Sequence, residues 1–272
     1  MTYHGTNTFL IGDKSVAIID PGPDHPEHLR AILSAVTSGA AVSHILVTHP
    51  HLDHSGLARP LAKATGADIY AFGPPHAGRS NVMQNLEDAG VLNGGEGVDT
   101  SFVPDQALAD DDVITSEDWS IKAVHLPGHM ACHLGFVWED RLFCGDLLMG
   151  WSTSLISPPD GDLDQFLNSL DRLKTSGSHC LYPAHGHKIE HARARIDEVA
   201  SHLSKRTEQV YNALDETGQN LRDVTARVYT DLSPQFLPYA ARNTLAHLIK
   251  LHGLGQIRAD PEVRENASWS RK

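Results

Sequence analysis

The stretch THPHLDH, residues 48–54, places three histidines and one aspartate in seven positions, directly after the apolar run Ile45-Leu46-Val47. On extended backbone, residues two apart point the same way, so His49 and His51 can pinch one ion. Pro50 biases His49 toward that extended geometry. Asp53 and His54 fall where the chain turns into the next helix, and they can face a second ion. A polar loop rich in histidine needs nothing further, whereas a metal site needs ligands from elsewhere in the chain.

Three other loops supply candidates. His129 follows a strand pattern by way of Pro127-Gly128, Asp146 follows Leu142-Phe143-Cys144, and His185 follows Cys180-Leu181-Tyr182 by way of Pro183-Ala184. Loops at strand ends are where a rigid scaffold presents chemistry. The assembled expectation is a two-ion centre. His49, His51 and His129 hold the first ion, Asp53, His54 and His185 hold the second, and the Asp146 carboxylate bridges them. Imidazole and carboxylate donors suit two Zn2+ ions, with Mn2+ or Fe2+ also compatible. Two ions about 3.5–4 Å apart hold a bridging hydroxide and clamp the attacking and leaving oxygens of a hydrolysis. Asp53 can also assist proton transfer to a leaving group, which makes it the candidate catalytic residue. Cys132 lies between His129 and His133 but has no second cysteine in register, so it is not taken as a ligand. With three cysteines and no CxxC pair, a disulfide framework is not expected.

The segments THPHLDH (48–54), PGHMACH (127–133), GD (145–146) and PAHG (183–186) resemble the metallo-β-lactamase superfamily of metal-dependent hydrolases. The resemblance covers most of residues 6–190 and implies an α/β fold of the αββα sandwich type, with the metals at one edge. Its ligand assignment coincides with the one above. The segments GTNTFLIG (5–12), DPGP (20–23), MGWSTSLISPPDGD (149–162) and ARNTLAHLIKL (241–251) are similar to the group that includes lactamase-beta-like protein 2. That similarity implies a small C-terminal winged-helix-like domain and, for some members, cleavage of single-stranded RNA. An aspartate at the bridging position is generally lacking in true metallo-β-lactamases, so Asp146 argues against antibiotic hydrolysis. Relatives carry a strand ahead of the GTNT segment, whereas this chain begins four residues before it, which implies a late start or a missing first strand.

Around the loops, strand-like patterns occur at 16–19, 44–47, 68–71, 119–125, 134–138, 141–144 and 179–182. Helical spacing occurs at 25–38, capped by Gly39, at 55–65, capped by Gly66, and at 164–173. Residues 73–100 show little periodicity and read as a long loop or mobile insertion bordering the site. From residue 189 the pattern is helical, at 189–214, 221–229 and 240–251, with a short strand at 254–259. The expected domains are therefore 1–200, catalytic, and 201–272, mainly helical.

The formal net charge of −12 weighs against nonspecific wrapping of nucleic acid. The charge is uneven, however: residues 201–272 hold ten Lys and Arg against eight Asp and Glu. Arg227, Arg242 and Lys250 there can meet phosphates or simply form a solvated helix face. No apolar run approaches the roughly 20 residues of a membrane span, and the first residues lack the layout of a signal peptide, so a cytoplasmic location is expected. Trp151, Ser152 and Ser154, just past Asp146, and His187, just past His185, are candidate substrate contacts. His133 reads as a support for the ligands or a structural residue, and His125 as part of a strand. Partners in view are a small-molecule ester, thioester or lactone, or single-stranded RNA, and a homodimer through the tail or the 73–100 segment. The non-enzyme alternative is a metal-binding scaffold with a nucleic-acid- or protein-binding tail, and the intact ligand set weighs against it.

Overall fold

The computed structural model describes residues 4–92, 94–175, 177 and 180–272. One sheet contains β1 (Phe9–Ile11), β2 (Ser15–Ile19), β3 (Ala41–Leu46), β4 (Asp68–Ala71) and β5 (Gln106–Ala107), in that order. Its β1–β2 pair is antiparallel and the others are parallel. The second sheet contains β6 (Val113–Thr115), β7 (Ser120–His125), β8 (Leu134–Trp138), β9 (Arg141–Gly145) and β10 (Cys180–Pro183), also in chain order. There only β9–β10 is parallel.

Alternation along the strands decides how the layers stack. Val16 and Ile18 of β2 join Ile45 of β3 against Ile32 of α1 (Pro26–Ala35). The intervening Ala17 and Ile19 face Ile121, Phe136 and Phe143 of the second sheet. Beyond those lie α2 (Leu52–Ser55), α3 (Ala58–Thr65), α4 (Asn81–Asp88) and α5 (Leu163–Thr175). Leu61 of α3 covers the first sheet with Ile32, while Phe166 and Leu170 of α5 cover Leu142 of β9 and Leu181 of β10. Strands that are apolar on both faces thus yield helix, sheet, sheet, helix, as expected.

The tail begins inside α6 (Ala192–Ala213), a continuous helix. Ile196, Val199 and Leu203 bind it to the second sheet's outer face, and Val210 enters a separate core. That core also holds Val224 of α7 (Leu221–Val228), Leu245 and Leu248 of α8 (Leu237–Gly253), and Ile257 and Trp269 of the ribbon β11 (Ile257–Asp260) and β12 (Ser268–Arg271). Three helices and a two-stranded ribbon make the expected winged-helix arrangement. No helix among the described residues is long and apolar enough to cross a membrane.

Several local expectations are corrected. The 73–100 segment carries α4, whose N-cap Ser80 accepts a hydrogen bond from the Met83 backbone N–H. Met83 and Leu92 are buried in the tail core. An eight-residue helix is unstable alone, and its apolar partners lie far along the chain, so local periodicity did not reveal it. The helix expected at 25–38 stops at Ala35, with Val36 extended and Gly39 at φ 90 in the following turn. The helix expected at 55–65 begins earlier and divides into α2 and α3, and Gly66 closes it in the left-handed region as expected. The short strands β1, β5, β6 and β12 were not anticipated. Of the strand expected at 179–182, His179 lies outside the described residues. Met83→Ala is expected to lower the free energy of urea unfolding by about 2–5 kcal/mol, the usual cost of emptying a buried methionine site.

Candidate metal centre

Parallel pairing brings the site together. Because β2 and β3 run side by side in the same direction, Asp20 and residues 48–54 emerge at one edge. The parallel pair β9–β10 sets Pro183 opposite Gly145, so Asp146 and His185 emerge as neighbours. Two antiparallel steps give β7 the direction of β9, which delivers the 127–133 loop to the same edge. The Leu134 backbone N–H donates to the Thr48 carbonyl at 2.8 Å and ties the two sheets there.

All seven expected ligands converge. His51 Nδ1 lies 2.8 Å from His49 Nε2 and 3.1 Å from His129 Nε2. His185 Nε2 lies 3.3 Å from Asp53 Oδ2 and 3.4 Å from Asp146 Oδ1, and His54 Nε2 lies 3.7 Å from each of those carboxylate oxygens. The other Asp146 oxygen is 3.8 Å from His129 Nε2, so this carboxylate spans the two halves. Donor atoms of His49, His51 and His129, of His49, His54 and Asp146, and of Asp53, His54 and His185 fall within 4.8 Å of one another.

The far side of four rings is held by the protein. His129 Nδ1 meets the Leu155 carbonyl at 2.7 Å, His185 Nδ1 the Gly5 carbonyl at 3.0 Å, His54 Nδ1 the Asp20 carboxylate at 2.9 Å, and His49 Nδ1 the Thr48 hydroxyl at 3.0 Å. Such contacts orient each ring and leave the opposite nitrogen for an ion. Gly145, at φ 51, passes so close to His133 that an added Cβ would lie 2.5 Å from its Nε2. That nitrogen accepts the Asp146 backbone N–H at 3.1 Å. His133 is therefore a support for Asp146.

The side chains by themselves divide electrostatically. Burial, followed by the neighbouring imidazoles, holds His49 well below the usual histidine range and His51 at about 3. Neutral imidazole is the form that ligates. Burial also acts on His185, but the Asp146 and Asp53 carboxylates outweigh it and hold the ring at about 9. Burial opposes ionisation of Asp53 too, yet its contacts with His185 and His54 bring it to about 2. The second half of the site is thus a place where two carboxylates favour positive charge.

The donor set fits divalent cations. His54 Nε2 and Asp146 Oδ1 are fully buried and have no hydrogen-bond partner. Burying such groups unpaired costs about 1–3 kcal/mol each, more when charged. A cation between them satisfies both, and another among the three neutral imidazoles replaces nitrogen-to-nitrogen contacts with ligation.

Past the centre opens a cavity of about 840 Å3, bounded by His51, Asp53, His129, Asp146 and His185 on its floor. Of the candidate substrate contacts, Trp151 and Ser152 line it. Ser154 is instead buried, its hydroxyl bonded to the Asp146 and Leu147 carbonyls, so it braces the loop of the bridging aspartate. His187 is exposed and does not line the cavity. Cys132 is buried with Met130 and Val98, and burial pushes its thiol to about 12. The tail cations are engaged within the protein: Arg242 with Glu265, Lys250 with Asp164, and Arg227 with the Ala213 carbonyl. Two contributions escaped the sequence reading. Asp20 figures in the sequence only within the DPGP segment (20–23), and its φ of 47 and its bond to His54 are visible only in the fold. The tail residues that line the cavity gave no local sign at all.

The chain belongs to the metallo-beta-lactamase superfamily, which it matches over residues 1–185. It is a hydrolase of that superfamily, and residues 221–269 match the beta-lactamase associated winged helix domain. More particularly, it is 29% identical over 278 residues to the Beta-lactamase-like protein 2 homolog of Drosophila melanogaster, covering 97% of this chain and 88% of that one. It is also 29% identical over 232 residues to the Atrochrysone carboxyl ACP thioesterase of Aspergillus fumigatus, covering 82% of this chain and 64% of that longer one. The metallo-beta-lactamase family protein TTHA1429 from Thermus thermophilus shares the fold over 98% of this chain and 94% of its own, with a TM-score of 0.77 at 23% identity.

Proposed function

We propose that this hydrolase uses two zinc ions to cleave the thioester, or a related carboxylic ester, of a small molecule. The observation that carries the reading is the lining of the cavity above the ligands: among the described residues it contains no lysine or arginine. A groove for single-stranded nucleic acid combines stacking rings with cations that track the phosphates. Here rings are present, but the acidic Glu96 stands where a cation would serve RNA. The thioesterase named among the relatives supports the same choice.

His49, His51 and His129 would hold one ion, Asp53, His54 and His185 the other, and Asp146 both. When bound, these ions supply an activated water and neutralise negative charge developing on a carbonyl oxygen. The protein's own contribution is orientation: the Leu155 and Gly5 carbonyls and Asp20 hold the rings against rotation. Asp53, one-third exposed and part of the cavity lining, would hold a proton for the departing group. A thiolate needs that help least, since a thiol of pKa about 8.5 leaves readily as its anion.

Chelation followed by reconstitution tests the reading. Hydrolysis of a thioester is expected to fall to background in the stripped protein and to return with zinc, approaching two ions per chain. Single-stranded RNA, a lactone and nitrocefin, assayed in parallel, define the alternatives. RNA cleavage without thioester hydrolysis, lost in the His51→Ala, Asp53→Ala double variant, would overturn the proposal in favour of a nuclease.

A further inference from the structure

The tail does more than follow the catalytic domain: it closes one side of the cavity. Leu232, Phe236 and Tyr239, from the segment leading into α8 and its first turn, line the cavity together with Met149, Trp151 and Leu155 of the catalytic domain. Phe236 is 37% exposed and Trp151 43%, so two of the chain's exposed large apolar side chains are retained on the walls of this one cavity. Exposed aromatic groups flanking a reactive centre mark a place where a ligand is buried.

Both walls are fixed in advance. The Asn243 side-chain oxygen of α8 accepts the Ile156 backbone N–H at 2.9 Å, which joins the tail to the loop behind Leu155. Arg195 donates to the Met149 carbonyl at 2.8 Å and to the Ser152 carbonyl at 2.6 Å, holding the opposite wall. The volume of about 840 Å3 is in the range that receives an organic ligand of moderate size. The lining combines the His and Asp side chains of the centre with the apolar Met149, Trp151, Leu155, Leu232 and Phe236.

We propose that the wall formed by Leu232, Phe236 and Tyr239 receives the acyl part of the substrate, so that the winged-helix tail selects for a bulky apolar acyl group. This rests on the thioester reading above. With the carbonyl at the metal floor, the acyl group lies between Trp151 and Phe236, and the thiol arm leaves through the open side. The tail then acts as a specificity element, which accords with the engagement of Arg227, Arg242 and Lys250 within the protein.

N-acetylcysteamine thioesters hold the thiol constant and vary only the acyl group. The wild-type protein is expected to show a kcat/KM about 10–100-fold higher for octanoyl or 2-naphthoyl than for acetyl, the discrimination that burying such groups provides. Phe236→Ala and Leu232→Ala are expected to shrink that ratio about tenfold, mainly through KM for the bulky substrates, and Phe236→Leu to restore part of it. S-Octyl-N-acetylcysteamine, a thioether that cannot be hydrolysed, provides a second readout: its Kd for the chelated protein should rise about tenfold in Phe236→Ala. Circular dichroism and thermal unfolding confirm that each variant is folded. An acyl ratio unchanged by the substitutions, or no acyl preference in the wild type, overturns the proposal and leaves the thioesterase reading standing. If the wild type hydrolyses no thioester, that reading fails. The thioether then decides the apolar wall by itself, and a Kd unaffected by Phe236→Ala overturns it.

Discussion

Asp146→Ala is expected to strip the protein of both ions and to abolish hydrolysis. This carboxylate reaches both halves of the centre with separate oxygens, one 3.4 Å from His185 Nε2 and the other 3.8 Å from His129 Nε2. Zinc sites with four ligands bind with about 10–16 kcal/mol, so a ligand carries about 3 kcal/mol, or roughly a hundredfold in affinity. Losing the bridge imposes that factor on each ion. Metal analysis after dialysis is expected to fall from two ions per chain toward none, with thioester turnover at background. Asp146→Asn keeps the volume and one neutral oxygen and should be intermediate. Two ions retained by the alanine variant would show that Asp146 is not the bridge.

Asp20→Asn should remove the second ion selectively and destabilise the fold. Asp20 is buried and accepts three hydrogen bonds: from the Thr48 backbone N–H at 2.8 Å, from the Thr48 hydroxyl at 2.7 Å and from His54 Nδ1 at 2.9 Å. Asparagine tolerates φ 47, so the effect arises from hydrogen bonding and not from the backbone. Its amide presents an N–H2 where one acceptor stood. Facing His54, that group moves the ring proton to Nε2, the nitrogen that serves the ion; turned the other way, it opposes the Thr48 N–H. The expected results are a 10–100-fold weaker second ion in a metal titration, as for other supports of metal ligands, and a loss of about 1–3 kcal/mol in urea unfolding. The first ion should be weakened less, because Asp20 reaches its rings only indirectly, through the Thr48 hydroxyl that meets His49 Nδ1. Equal weakening of both ions would contradict the assignment of His54 to the second.

The ligands were legible because their chemistry and their position agree. Each sits immediately past an apolar strand, and imidazole or carboxylate recurs on four such loops. Their supports were less legible. The Leu155 and Gly5 carbonyls are backbone atoms that any residue provides, and only the fold brings them to His129 and His185. Ser154 and His187 show the limit of proximity in sequence. Both follow a ligand closely, yet one turns inward to brace the Asp146 loop and the other faces solvent away from the cavity. The charged tail illustrates it again: cations that a linear reading could offer to phosphates are bonded to Glu265, Asp164 and a backbone carbonyl.

The insertion at 73–100 joins these two levels. It was expected to border the site, and Glu96 and Gly97 do line the cavity. Its helix, however, packs Met83 into the tail core, while the chain just beyond pairs Val98 with His51 and accepts the Leu52 N–H at the Gly97 carbonyl, 2.9 Å away. The same segment thus touches both the winged helix and the metal loop.

By itself the sequence determined the layered fold and singled out the seven His and Asp side chains that the fold brings together, because alternation of apolar residues and the donor chemistry of His and Asp are local properties. Tertiary structure decided what surrounds them. Asp20 becomes the anchor of His54 only when β2 and β3 lie in parallel, and the tail becomes a cavity wall only when α8 docks against the Ile156 loop. Those contacts join residues 34 and 87 positions apart, so no local window of sequence contains them.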